Sequence, residues 1–214
     1  MPKEFFRIKS KQLPLRESST VNSKIWMYVE RGKVIEKTGE NEQGTWIKTA
    51  YGSRKGWLYK KCLQRVDPPW LEVARTQLGV QEFPGAANNP EVVKFLEATN
   101  NLSASIRSKD ETPWCSAFVN WVIREAGMEG TKNALARSWQ QWGEHIDEPY
   151  IGCIVVFQRE KKFGHVGFYL GENETHIKVL GGNQQNPNTG IFEVSEKYYP
   201  KADFLEYRSP VKKP

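Results

Sequence analysis

The sequence predicts an α+β chain: a small all-β module of antiparallel strands, then a larger unit of helices followed by an antiparallel sheet. Three observations predict it. Pro68-Pro69, directly after Asp67, interrupts regular structure at an internal point. The hydrophobic pattern changes there from short strand-like runs to a helical repeat. Charge changes too. Residues 1–66 carry 15 Lys/Arg against 6 Asp/Glu, a net of +9, while the remainder carries 16 against 19, a net of −3. The expected domains are 1–66 and 67–214, which a chain of 214 residues can accommodate as two small units.

In the first module, runs rich in β-branched and aromatic residues recur at 24–29, 33–37, 45–49 and 56–58. Gly32, Glu42-Gln43-Gly44 and Tyr51-Gly52-Ser53 separate them. Strand-length runs with turn residues at this spacing predict a small antiparallel barrel. Beyond Pro69 the period lengthens. Trp70, Val73, Ala74 and Leu78 share one helical face, with Gly79 as the stop. A second helix is expected at 91–99, after Asn89-Pro90. A third is expected at 113–126, with Pro113 at its start and Gly127 just past its end. A short fourth covers 137–142. Strands follow at 151–158, 165–170, 177–180 and, more weakly, 190–194. Helices first and strands afterwards give the α+β class.

Composition narrows the function classes. Eight Trp and 12% aromatics exclude a disordered chain. No apolar run is long enough to cross a bilayer, so no membrane insertion is expected. Residues 1–7 lack the apolar core of a leader peptide, so synthesis in the cytoplasm and release by non-classical export or lysis are expected. Cys62, Cys115 and Cys153 are too few for a disulfide framework and form no CxxC pair, so no metal is expected. A +9 module favours a polyanionic surface such as wall polymer, membrane or nucleic acid. Nucleic acid is the weaker reading, because no recognition helix or aromatic RNA-binding signature is present.

Cys115 lies in Trp114-Cys115-Ser116-Ala117-Phe118, where the first turn of the third helix is expected. Unpaired N–H groups and the positive end of the helix dipole stabilise a thiolate there. His165 opens an alternating strand, with Val166, Phe168 and Leu170 on one face and His165, Gly167 and Tyr169 on the other. Gly164 and Gly167 are expected to leave open space around the imidazole, as a general base facing a cleft requires. Asn183 follows the next strand, placed to accept from the imidazole and fix its tautomer; Gln184 is the nearest other candidate. The order Cys, His, Asn is that of a papain-type nucleophile, base and orienter. His145 and His176, in polar turn-like segments, carry no such expectation.

Several motifs together resemble one family. They are Gly79-Val80-Gln81-Glu82-Phe83-Pro84-Gly85, the run 114–121, Ser138-Trp139, the run 152–157, Gly164-His165-Val166-Gly167-Phe168-Tyr169 and Gly181-Gly182-Asn183-Gln184. Over about residues 70–208 they resemble the NlpC-type and CHAP (cysteine, histidine-dependent amidohydrolase/peptidase) cell-wall hydrolases. The resemblance implies a papain-like core that cleaves amide bonds in bacterial peptidoglycan without a cofactor. It implies Cys115 as nucleophile, His165 as base and Asn183 as third residue, with Trp114, Trp139 and Glu82 contacting substrate. The chain has Cys153 where such proteins carry Asp, and Cys153 is read as a core residue. The first module resembles bacterial SH3-like wall-binding domains through Leu13-Pro14-Leu15-Arg16, Gly44-Thr45-Trp46-Ile47-Lys48 and Gly56-Trp57-Leu58, with Trp46 and Trp57 as candidate wall contacts.

These readings converge on a peptidoglycan-cleaving cysteine peptidase or amidase, acting as a lytic or antibacterial effector. For an effector, an immunity protein would be a partner. The alternative is a wall-binding protein with a dead catalytic fold, against which the intact Cys115, His165 and Asn183 argue.

Overall fold

The computed structural model describes residues 3–159 and 163–210; Met1 and Pro2, at the start of the stretch read for a leader, lie outside them. Two compact units divide the chain, Met1–Pro69 and Trp70–Pro214.

The first unit is all β. Its strands are β1 (Phe5–Ile8), β2 (Gln12–Arg16), β3 (Ile25–Glu30), β4 (Val34–Glu36), β5 (Gly39–Glu40), β6 (Trp46–Tyr51), β7 (Arg54–Tyr59) and β8 (Leu63–Val66). They form a sheet in the order β3-β2-β7-β6-β5 and a second in the order β4-β1-β8, with every pair antiparallel. Alternate residues of both sheets turn inward. Ile8, Leu13, Leu15, Val29, Ile47 and Leu58 are packed together in one core. Of the eight strands, β1, β2, β5 and β8 carried no strand expectation. Strand β2 accommodates Pro14 because β7 meets it only at Arg16, so the N–H that proline lacks has no partner to serve there.

The second unit contains α1 (Pro69–Arg75), α2 (Pro90–Leu96), α3 (Ala104–Arg107), α4 (Cys115–Glu125) and strands β9 (Glu144–His145), β10 (Ile154–Arg159), β11 (Phe163–Glu172), β12 (His176–Gln185), β13 (Phe192–Pro200) and β14 (Phe204–Ser209). The α+β class read from the sequence is the class observed. Asn89 caps α2 by accepting from the Glu91 N–H at 2.9 Å. Helix α4 starts two residues after Pro113, with Trp114 as its N-cap. It ends at Glu125 with Ala126 as C-cap, and Gly127 follows with a φ of +76°, open to glycine at no steric cost. Residues 137–142, read as a helix, lie mostly in a 3₁₀ turn at Ala136–Gln141.

The six strands run in the order β13-β12-β11-β10-β14-β9. Strands β13 and β14 are joined only by Lys201–Asp203, although β12, β11 and β10 lie between them. Four strand spacings across a flat sheet measure roughly 19 Å. Three linking residues span at most about 13 Å including their joins. The sheet therefore curls, and β13 swings its C-terminal end toward β10. Rings record that closure: Tyr199 of β13 stacks on Phe157 of β10, with centroids 5.0 Å apart.

Helix α4 packs on this sheet. Phe118 meets Phe168 edge-on at 6.4 Å, and Phe95 of α2 contacts Trp114, Phe118 and Trp121. The contact that fixes the helix's first turn is at Gly182. A Cβ there would come within 2.8 Å of Phe118 Cβ and closer still to the Trp114 ring. Both neighbours are fully buried. Gly182→Ala should therefore lower stability by about 1–3 kcal/mol, the usual cost of overpacking. Urea unfolding should show the loss as a lower midpoint at unchanged slope; an unchanged midpoint would mean that the ring yields freely.

Candidate active site

The first turn of α4 carries Cys115, and its surroundings follow from residues on either side. Trp114 is wholly buried and its indole N–H donates to Glu82 at 2.8 Å. Glu82 is held against the edge of β13, where its N–H donates to the Phe192 carbonyl at 2.9 Å. Partial burial raises the Glu82 carboxyl above its ordinary range, while the indole bond opposes that. On the other side Ser116 accepts from the Trp139 indole N–H at 2.9 Å and donates to the Asn133 carbonyl at 2.6 Å. Asn120, one turn on, accepts from the Lys132 N–H at 2.7 Å. The polar face of α4 thus pins the 131–139 loop. Trp114 and Trp139 are scaffold, since full burial leaves neither ring a face for substrate. Trp46 is also buried, packed at 5.2 Å on Tyr59, while Trp57 stays half-buried under the Lys48 ammonium.

A cleft of about 180 Å³ opens beside Cys115. Leu102, Pro113, Ala134, Leu135, Ala136 and Phe163 give it apolar walls, and Arg137 and Gly164 reach its edge.

His165 stands opposite Phe157 on neighbouring strands and stacks on Tyr199, with centroids 4.6 Å apart and planes 22° from parallel. The expected open space is absent. His165 is 0% exposed, a Cβ on Gly164 would meet the Phe157 carbonyl, and one on Gly167 would meet Val179 and the Leu180 carbonyl. These glycines permit close strand packing instead of making room for the ring. The space beside the imidazole belongs to Gly181, where a Cβ would sit 3.2 Å from His165 Nε2 and 3.3 Å from Gln184 Oε1.

Asn183 and Gln184 exchange the places that regular strand alternation gives them. The β12–β13 register shifts between Gly181 and Gln184, and Asn183 takes the left-handed φ of 56°. This bulge brings Gln184 to the side of Gly181. The Gln184 amide donates to the Gly181 and Ser195 carbonyls, which turns Oε1 toward the imidazole. Both imidazole nitrogens and Gln184 Oε1 are buried without a formal hydrogen bond, and it is Gln184 that favours the protonated ring. No hydrogen bond links Asn183 to His165 among the described residues.

Burial raises the Cys115 thiol above its ordinary value. Arg159 and the backbone N–H groups of Ser116, Val166 and Cys115 itself oppose the rise. The helix terminus acts in the expected direction but desolvation outweighs it. Burial pushes His165 well below 6.5, and Arg159 pushes it further. At neutral pH the pair is therefore thiol and neutral imidazole. Tyr199 joins the two, stacked on His165 and within electrostatic reach of Cys115. Cys153 is fully buried and its thiol is pushed up to about 12, so it is inert as a nucleophile. Among the described residues no group of three or more His, Cys, Asp or Glu is placed to hold a metal ion, and no helix is long and apolar enough to cross a membrane.

Residues 107–183 match the CHAP domain. The match begins at the end of α3, contains Cys115 and His165, and stops one residue short of Gln184. The likeness to the CHAP family holds over this segment. No curated protein matches the chain. Solved structures similar to it include NlpC2 from Trichomonas vaginalis, at 14% identity and TM-score 0.38, covering 99% of this chain and 74% of that one. NlpC1 from the same organism has 14% identity and TM-score 0.37, covering 96% and 68%. An NlpC/P60 family protein from Bacillus cereus ATCC 10987 has 11% identity and TM-score 0.37, covering 97% and 63%.

Sequence reasoning missed Tyr199 and Arg159. Only the curl of the sheet brings Tyr199 to His165, and nothing local announces it. The two histidines with shifted titration should separate in side-chain NMR. His165 should stay neutral to well below pH 6.5. His145, whose ring bonds Glu206 and Asp147, is raised and should still be protonated there. A His165 midpoint above 6.5 would show that water reaches the ring.

Proposed function

We propose that the chain hydrolyses an amide bond of the bacterial wall peptide by a thiol mechanism. The observation that carries this reading is one ring, Tyr199, stacked on a His165 held neutral and within electrostatic reach of Cys115 at the start of α4, with thiol and imidazole both inside the CHAP segment. The thiol attacks the scissile carbonyl carbon while the imidazole takes its proton. The α4 N-terminus offers the Cys115 backbone N–H to the developing oxyanion. Collapse breaks the C–N bond, the imidazolium returns the proton to the leaving amine, and a thioester remains. Water, deprotonated by the same imidazole, attacks the thioester and frees the thiol and the product acid. Gln184, not Asn183, is the positioning residue for the ring in this reading. No cofactor is required.

The first unit is read as an SH3-like wall-binding module. Its two antiparallel sheets over one core and the net charge of +9 on residues 1–66 support that reading. Trp57 is its candidate wall contact. Action in the wall after non-classical release, as a lytic or antibacterial effector held in check by an immunity protein, extends the same reading.

Mass spectrometry of sacculi digested by the full chain tests both activity and bond. Fragments should appear with wild type and with Cys153→Ser, and vanish with Cys115→Ala. His165→Ala should be nearly as damaging, and the double variant no worse, since the two groups act as a unit. Gln184→Ala should cost about 10- to 100-fold in kcat and Asn183→Ala less, the reverse order assigning the third place to Asn183. The fragment Met1–Pro69, which has its own core, should co-sediment with sacculi at low salt and be released by salt. If it stays in solution, targeting does not belong to this unit.

A further inference from the structure

Arg159 ends β10, exposed, opposite Phe163 of β11, a residue that lines the cleft beside Cys115. Its guanidinium donates to the Tyr199 hydroxyl at 3.3 Å and lies 5.8 Å from that ring's centre. Tyr199 in turn stacks on His165. The cation is thus one ring away from the imidazole, held by contacts that use only part of its five-donor fork. Among the described residues no carboxylate pairs with it. The other charged side chain bearing on His165 is Lys197, also a cation, whose ammonium donates to the Gln185 carbonyl at 3.1 Å. A buried base flanked by two cations is poorly served by them: both make the imidazolium harder to form. Arg159 also favours the Cys115 thiolate, a task that charge alone performs; its planar fork offers more than charge and matches a carboxylate.

We propose that Arg159 is a specificity-determining residue that binds a free carboxylate of the wall peptide next to the scissile amide. This rests on the hydrolase reading above. The substrate's anion supplies the missing partner, neutralises the cation when the imidazolium forms, and sets the scissile carbonyl over Cys115. Tyr199 fixes the direction of the fork, and the apolar cleft on the Phe163 side takes a neighbouring uncharged side chain. An amidated wall peptide presents no such anion and is bound less well.

The test uses the full chain with Cys115→Ala, so that binding is read without turnover. Calorimetry would measure a synthetic stem peptide and versions in which each carboxylate in turn is a carboxamide. One amidation should weaken binding about 10-fold or more. Adding Arg159→Gln should weaken the parent peptide to the same level and abolish the difference between acid and amide. Arg159→Lys, which keeps the charge and loses the fork, should restore part of it. The idea is overturned if no carboxylate affects affinity, if the parent peptide does not bind, or if the acid–amide difference survives Arg159→Gln. Thermal melts of each variant identify any loss of fold, and the Lys variant then carries the comparison. Fragment release from sacculi by the wild-type chain is scored separately, so failure of the hydrolase reading is distinguished from failure of the carboxylate assignment.

Discussion

The site depends on the Trp114 ring seated over Gly182. Helix α4 has no side-chain N-cap, so its first turn is not located by the capping bond that usually defines a helix start. It is located instead by an indole that fills the space left by the missing Cβ on β12 and is tethered through its N–H to Glu82. The same contact sets the distance between the helix that bears the thiol and the bulge that carries Gln184. A side chain at position 182 would force the Trp114 ring or the start of the helix to shift.

Two irregularities of the sheet do the rest. The bulge after Gly181 turns Gln184 inward, and the curl that joins β13 to β14 brings Tyr199 over the imidazole. Both place polar groups where water is excluded. Desolvation then dominates the electrostatics: it keeps the thiol protonated and the imidazole neutral, against the helix terminus and Arg159 acting on the thiol. Thiol and imidazole are therefore both uncharged in the resting protein.

Much of this was legible in the sequence. The change of hydrophobic period at Pro68-Pro69, the three longer helices, and the Cys115 and His165 positions follow from local pattern. So does the stop at Gly127. What was not legible depended on relations between distant segments. Asn183 was expected beside the base because it follows the strand next to that of His165, and one inserted residue turns Gln184 to that side instead. Glycines next to His165 suggested open space, whereas in a curled sheet they allow strands to approach. The aromatic residues near Cys115 suggested a binding surface, but Trp114 and Trp139 each found a buried hydrogen-bond acceptor and became framework. β14, which pairs with β10 and β9, carried no expectation.

The curl also governs when the site comes into being during synthesis. Cys115 lies early in the second unit, while Tyr199 and β14 lie near its end. A ribosome-bound chain that already displays the helix and the β11 histidine still lacks the strand that shields the imidazole. Contacts of this sequence separation form late, after long loops have closed. The completed constellation therefore forms only after Tyr199 and β14 have been added, and a shorter nascent chain carries the thiol without the ring that stacks on the imidazole.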